Sequence, residues 1–371
     1  MFESGRGLAP DSIRWDDFQR LCEDHGMPVL FGRPRPRAKA NPFRGCTEFK
    51  SMSESNIQSK PLVTVIAMCY NHARFVRECL DSIGRQSYTN IQLIITDDCS
   101  NDGSQELIES WIHKAGINCQ FLKHVKNVGI CRTANEALAL ARGKYISGVA
   151  TDDIWQPNKL QVQVDLIERL PDKVGIIYSD AFQMSEDGKL LDKKFIEAHA
   201  QCDVESKPSG NLHTTMWQGN FIPGMATLVR RECYDRVGVY DENLFFEDWD
   251  MWLRISREYD FYYSDEISAR YRIVSNSMAH GSTDKMLTAG IQVCRKHIEQ
   301  GWITEETWPL VADKLYYFLE QSYNRKLPVK MEALALALKY DRKLRTKILA
   351  CFVRLGIPYD YFAKARRLIK S

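Results

Sequence analysis

Residues 91–98 read IQLIITDD and residues 145–153 read YISGVATDD, two apolar runs that each end in a pair of carboxylates. Short runs rich in β-branched residues and closed by polar ones predict buried strands. In an open α/β sheet, ligands bind outside the carboxyl ends of the strands. Asp97-Asp98 and Asp152-Asp153 are therefore expected to face one crevice. Such a crevice repels a bare diphosphate and accepts one only with a divalent cation between. The expectation is a metal-dependent enzyme acting on a nucleotide-linked substrate.

The flanking pattern extends the sheet. Residues 63–69 (VTVIAMC), 119–125 and 174–178 read as further strands. Phe75, Val76, Leu80 and Ile83 recur at helical spacing within 73–86, and 104–115, 133–141 and 159–170 read as helices. Alternation of this kind builds an α/β fold with a doubly wound, mostly parallel sheet. After Asp180 it fades. Residues 183–208 read as a polar loop with a hairpin at Asp187-Gly188, 225–229, 261–264 and 268–273 as strands, and 246–257 as a helix dense in aromatics and acids. From about Lys285 the strand signal stops, which predicts an α-helical appendage over 285–371 behind a main domain over 61–284. Residues 1–60, with Arg33-Pro34-Arg35-Pro36-Arg37 and the polar stretch SMSESNIQSK, read as a poorly ordered leader, with a short helix over 14–25 as the alternative.

Of the 371 residues, 44% are hydrophobic and 26% charged, as in a soluble globular protein. A net charge of +2 predicts no nucleic-acid footprint. No apolar run reaches the roughly 18–20 residues that span a bilayer, and no secretory signal stands at the start. Eleven cysteines without a CxxC pair suit reduced thiols in the cytoplasm.

The segment 97–103 (DDCSNDG) has two readings. Asp98, Ser100, Asp102, Gly103 and Glu109 fit the spacing of a calcium loop, which requires a preceding helix where a strand is predicted. Alternatively it is a base and ribose site, with Gly103 turning the chain into the next helix.

Further motifs follow in order: Tyr70-Asn71, Leu80-Asp81-Ser82-Ile83, Asn127-Val128-Gly129 with Asn135, Thr151-Asp152-Asp153-Ile154-Trp155, Tyr178-Ser179-Asp180, Glu247-Asp248-Trp249-Asp250 and Tyr271-Arg272. Over 61–276 the chain resembles the family 2 glycosyltransferases. The resemblance implies a GT-A fold, the doubly wound mixed sheet of nucleotide-diphospho-sugar transferases, and inverting transfer of a sugar from a nucleotide-diphosphate donor to an acceptor hydroxyl. It implies Mn2+ or Mg2+ held by Asp153 with Asp152, although Ala150 stands where an Asp is common in the family. It makes Asp248 the base, places Tyr70 and Asp98 around the nucleobase, and brings Arg132 and Arg272 toward the diphosphate. Val274 stands where members often carry a His; His280 is near enough to substitute, but a lone His on a polar loop, like His213, is ordinarily solvated.

Simple alternatives stand beside these readings. Asp152-Asp153 and Asp248 are also what helix N-termini attract. Tyr70 and Trp252 fit a core as well as a site, and Gly224 fits a plain turn. Glu247 and Trp249 are the acceptor-side candidates, Trp249 either as a sugar platform or as core. The expected acceptor is a glycan or lipid-linked glycan in surface polysaccharide synthesis. Residues 359–370 (YDYFAKARRLIK) mix aromatics with basic residues, as a helix in peripheral membrane contact would, although the pattern suits an ordinary solvated helix better. A nucleotidyltransferase, or a non-catalytic nucleotide- or glycan-binding protein on the same fold, is the competing function.

Overall fold

The computed structural model describes residues 60–200, 208–246, 248–274, 283–341 and 343–370, with side chains to Lys364. The expected leader (apart from Lys60), Glu247 and His280 lie outside the described residues.

The first half alternates as the pattern demands: β1 (Val63–Cys69), α1 (Val76–Gly84), β2 (Ile91–Asp97), α2 (Ser104–Ala115), β3 (Cys119–Lys123), α3 (Ile130–Leu140) and β4 (Tyr145–Ala150). Then come β5 (Ile154–Trp155), α4 (Lys159–Ile167), β6 (Val174–Met184), β7 (Leu190–Lys194), α5 (Phe195–His199), α6 (His213–Gln218), β8 (Thr227–Arg230), α7 (Arg231–Val237), α8 (Asp248–Glu258) and β9 (Asp260–Arg272). Five helices close the chain: α9 (Thr283–Glu299), α10 (Trp308–Asn324), α11 (Lys330–Tyr340), α12 (Leu344–Arg354) and α13 (Tyr359–Lys370).

The described strands form one mixed sheet in the order β3-β2-β1-β4-β8-β6-β9-β5, with β7 hairpinned onto β6. β1 pairs in parallel with both β2 and β4, while β8 runs antiparallel between β4 and β6. Cys69 stands level with Asp97, and Met68 with Ala150. The loops after β1, β2 and β4 therefore leave from one edge, as expected. β9 runs parallel to β6 and so brings Arg272 to that edge too.

Two local differences from the sequence reading have physical causes, and the hairpin expected at Asp187-Gly188 is found. The two short strands expected over 261–273 are one strand, because the exposed Asp265-Glu266 pair sits at an irregularity in the β6–β9 pairing that the strand survives. α3 starts three residues early, where Gly129 at φ 88 turns the chain and its carbonyl accepts from the Thr133 hydroxyl. The polar loop expected over 183–208 holds β7 and α5, with Gly188 at φ 87 making the turn.

The C-terminal helices share one apolar cluster with the sheet. It runs from Ile66 and Ile146 through Trp217, Trp249 and Met251 to Phe318, Leu334 and Phe362. The predicted appendage is thus packed on the face that carries α8.

Candidate active site

The loops after β1 and β2 are tied to each other. The Asn71 amide donates to Ser100 Oγ (2.8 Å), the Asn101 amide to Asn71 Oδ1 (3.0 Å), and the Ala73 amide to Asp102 Oδ2 (2.8 Å). Asn71 (φ 57) and Cys99 (φ 65) both adopt left-handed backbone. Such residues cost on the order of 1–3 kcal/mol each and persist where their surroundings over-determine them, often at binding sites.

This bracing corrects the first expectation. Asp97 is fully buried and spends its carboxylate on the Ser100 amide and hydroxyl and on Gln105 Nε2. It holds the loop rather than facing a crevice. Asp98 accepts from the Val128 and Gly129 amides (2.8 and 2.9 Å) and meets His124 Nδ1 at 2.9 Å. Its carboxylate keeps room for little more than one further donor. His124 bridges Asp98 to Glu136; burial opposes its charge, but these two hydrogen bonds prevail and raise its pKa. The sequence reading passed over His124, whose only signal is its place directly after β3. The calcium-loop alternative fails, because a strand precedes the loop and Asp102 is consumed by Ala73 and Ser104. Tyr70 is 46% exposed, which removes the core reading.

The second acidic pair behaves differently. No helix follows it directly, since α4 begins only at Lys159, so N-capping does not explain it. Asp152 and Asp153 are buried, and Asp153 Oδ1 accepts from the Arg272 amide at 2.9 Å. Burial first, then repulsion from Asp152, raises the Asp153 pKa well above the usual carboxylate range, with Arg272 partly offsetting both. Two adjacent carboxylates with too little positive charge, presenting hard oxygen donors, fit a divalent cation such as Mg2+ or Mn2+. Among the described residues no group of three His, Cys, Asp or Glu is arranged to hold a metal. Two carboxylates alone suit an ion that completes its shell with substrate phosphates and water.

Arg272 is not free for a diphosphate. Its Nε donates to the Asp152 carbonyl (2.9 Å), Nη1 to the Glu186 carbonyl (3.0 Å) and Nη2 to Glu78 Oε2 (2.6 Å), and its guanidinium lies over the Phe75 ring. It braces the acidic turn from behind. Arg132, half exposed, pairs with Glu136 on the α3 surface (3.1 Å). His72 was missed by the sequence reading. Its Nδ1 meets Thr151 Oγ1 at 3.0 Å and its Nε2 lies 3.6 Å from Asp152 Oδ2.

Asp248 opens α8. Its Oδ2 accepts from Asn220 Nδ2 (2.8 Å) and its Oδ1 from the Trp249 amide (2.7 Å). Burial raises its pKa, and these hydrogen bonds only partly oppose the rise. Tyr271 feels both this carboxylate and the acidic turn: burial first, then the charges of Asp153, Asp152 and Asp248 in turn, push its hydroxyl pKa up. The loop before α8 is pinned by Asn135, which exchanges hydrogen bonds with the Tyr240 carbonyl and amide, both 2.9 Å.

Two expectations around α8 change, those for Trp249 and His213. Trp249 is buried, donates its Nε1–H to the Met216 carbonyl (2.8 Å) and meets Trp217 edge-on, so it is core and not a sugar platform. Trp252 is core too, as favoured. His213 is not solvated: it is buried against Ser256 Oγ (3.0 Å), and burial lowers its pKa to about 4. Gly224 sits in a plain turn, Gly224–Ala226.

The sequence did not signal one further feature. Asp250 accepts from Arg254 Nε (2.9 Å), Lys296 Nζ (2.9 Å) and His297 Nε2 (3.0 Å), and Lys296 also pairs with Asp241 (2.9 Å). α8 is thereby tied to α9.

Against this geometry, the model of Glycosyl transferase family 2 matches residues 64–238. An uncharacterized glycosyltransferase of Methanocaldococcus jannaschii is 30% identical over 218 residues, 58% of this chain and 71% of that protein. An uncharacterized glycosyltransferase of Rickettsia typhi is 26% identical over 295 residues, covering 76% and 86% of the two chains. A protein of Bacillus subtilis described as a putative teichuronic acid biosynthesis glycosyltransferase is 27% identical over 222 residues, 59% of this chain and 82% of that protein. A longer relative from Rickettsia bellii is matched over only 37% of its length. The chain belongs to the family 2 glycosyltransferases. Among solved structures, the mannosyltransferase PcManGT of Pyrobaculum calidifontis, in complex with GDP-Man and Mn2+, matches at TM-score 0.53 and 19% identity over 83% of this chain and 84% of that one. TarS of S. aureus matches at TM-score 0.52 and 15% identity over 80% of this chain and 53% of that one. The fold is GT-A, and glycosyl transfer replaces the nucleotidyltransferase alternative. Among the described residues no helix is long and apolar enough to cross a membrane.

Proposed function

We propose that this protein is a metal-dependent, inverting glycosyltransferase that moves a sugar from a nucleotide-diphosphate donor to a hydroxyl of a glycan or lipid-linked glycan in surface polysaccharide synthesis. The observation that carries the reading is the buried Asp152-Asp153 turn, held by Arg272 at the sheet edge where the strands end, with a third buried carboxylate, Asp248, whose charge reaches Tyr271 as theirs does. The cytoplasm suits such a donor and the free cysteines of the described residues.

In this reading Asp153 and Asp152 hold Mn2+ or Mg2+, which when bound neutralises charge developing on the departing diphosphate. Arg272 fixes the acidic turn by its amide and Nε, so both carboxylates are positioned before the donor arrives. Tyr70, exposed at the end of β1, and the braced Asp98 loop receive the nucleobase and ribose. Asp248 removes the proton of the acceptor hydroxyl as that oxygen attacks the anomeric carbon opposite the leaving diphosphate, which inverts the centre. Its raised pKa makes it a stronger base than an ordinary carboxylate, and Asn220 orients it.

Calorimetric titration with UDP and GDP, in Mn2+ and in chelator, tests the donor site. Affinity should fall at least tenfold in chelator, about 1.4 kcal/mol. Equal affinity in both conditions would remove the metal from the reading.

A further inference from the structure

Among the described residues, nothing covers one face of the C-terminal helices. α12 packs inward through Thr346, Leu349, Ala350 and Val353. Its opposite side carries Leu344 (71% exposed), the exposed Cys351 and, at the C-cap, Leu355 (73% exposed), with Ile348 between them half-buried against the core. These four fall at i, i+4, i+7 and i+11, a single stripe about 16 Å long at 1.5 Å per residue. Exposed Lys347 and Arg354 flank the stripe on one side. Lys343 and Arg345, at the start of the helix, pair with Asp313, but among the described residues no carboxylate pairs with Lys347 or Arg354. Residues 343–371 hold eight Lys and Arg against one acidic residue, Asp360, in a chain of net charge +2, so the remainder is net acidic. Next in the chain, Tyr361 is 60% exposed while Phe362 is buried against Tyr323 and Phe352.

We propose that this face docks on an anionic lipid surface, with α12 lying in the plane of the interface. The combination of groups selects that partner. An acidic protein or RNA would match the cations but leave the Leu344–Leu355 stripe in water. A neutral apolar partner would cover the stripe but strand Lys347 and Arg354. A second copy of the chain would oppose like charges. A bilayer with anionic headgroups supplies an apolar layer for the stripe and phosphates for long basic side chains that snorkel beside it. The sequence offered residues 359–370 as a candidate for membrane contact beside an ordinary solvated helix; the burial of Phe362 moves the candidate to α12. The proposal does not depend on the assignment of the active site.

Sedimentation of the full chain with vesicles tests it, comparing pure phosphatidylcholine with an equal mixture of phosphatidylcholine and phosphatidylglycerol. Binding to the anionic vesicles alone is expected, and should weaken about tenfold in high salt. Leu344→Ser/Leu355→Ser and Lys347→Glu/Arg354→Glu should each lower partitioning about tenfold, with nucleotide affinity and thermal unfolding unchanged. Binding to neither vesicle, equal binding to both, or insensitivity to both double variants would overturn the proposal. So would an Leu344- and Leu355-dependent dimer by light scattering without vesicle binding, or RNA binding that survives Leu344→Ser/Leu355→Ser while vesicle binding is absent.

Discussion

Replacing Asp250 with Asn should destabilise the protein by about 3–5 kcal/mol while leaving its chemistry intact, because a buried ion pair that loses one partner keeps an uncompensated charge. Asp250 is 1% exposed and faces Arg254, Lys296 and His297. Arg254 and Lys296 balance Asp250 and Asp241, so a proton on His297 would have no counter-charge. Burial accordingly lowers the His297 pKa. The neutral ring donates from Nε2 to Asp250, and its Nδ1 is buried without a partner. In Asp250→Asn, Arg254 and Lys296 keep only Asp241, and one donor of the three meets an amide NH2 instead of an oxygen. The fall would be read as a lower urea midpoint at unchanged slope. The pH dependence has a defined sign. The neighbouring cations and His297 hold the Asp250 pKa well below the usual carboxylate range. Its contribution is therefore complete above the unfolded value of about 3.9 and is lost as pH falls below it. The difference between wild type and variant should be flat from neutrality to about pH 5 and shrink in more acid solution. A difference under about 1 kcal/mol, or one that grows toward acid pH, would refute the reasoning. A kcat loss of a hundredfold at unchanged stability would show that Asp250 is the base and not an anchor.

Asp153→Asn should reproduce the chelator effect, weakening nucleoside diphosphate at least tenfold by calorimetry and removing its dependence on Mn2+. Asp248→Asn should lower kcat by about 10²–10⁴ with donor affinity nearly unchanged, as befits a base on the acceptor side; a collapse of donor affinity would make Asp248 a nucleotide or fold residue. The wild-type pH–kcat profile should show its acid limb above the ordinary carboxylate range of about pH 4, because burial raises the Asp248 pKa and only the ionised form accepts the proton; a limb at or below pH 4 would contradict that environment. Arg272→Lys should cost about 2–4 kcal/mol, since one ammonium does not reach the Asp152 and Glu186 carbonyls and Glu78 together. It should also weaken donor binding by loosening the acidic turn, and unchanged denaturation would refute the bracing role.

The parts of this molecule that were legible in the sequence are those that local pattern controls. β1, β2 and β4 are short, apolar and β-branched, and their closing residues stand level in the parallel register, so reading 91–98 and 145–153 was enough to bring two loops to one edge. Side-chain direction within those loops was not legible, because it depends on donors distant in the chain. Asp97 and Asp152 have the same sequence context, an acid beside another acid after a strand. Gln105 and Ser100 claim the first, while the second is left to His72 and to the cleft. Arg272 and Asp250 show the same dependence over longer separations. Arg272 reaches Glu78, 194 residues away, and Asp250 reaches His297, 47 residues away, so neither partner leaves a trace in spacing or periodicity. These two are also residues whose charge the fold has neutralised, which keeps them out of the proposed chemistry. An ionisable residue in a family motif is thus open to the proposed chemistry only when distant parts of the chain leave both its charge and its lone pairs unclaimed: far-off partners neutralise Asp250 and Arg272 and three neutral donors fill Asp97, whereas Asp153 accepts one hydrogen bond and Asp248 two among the described residues.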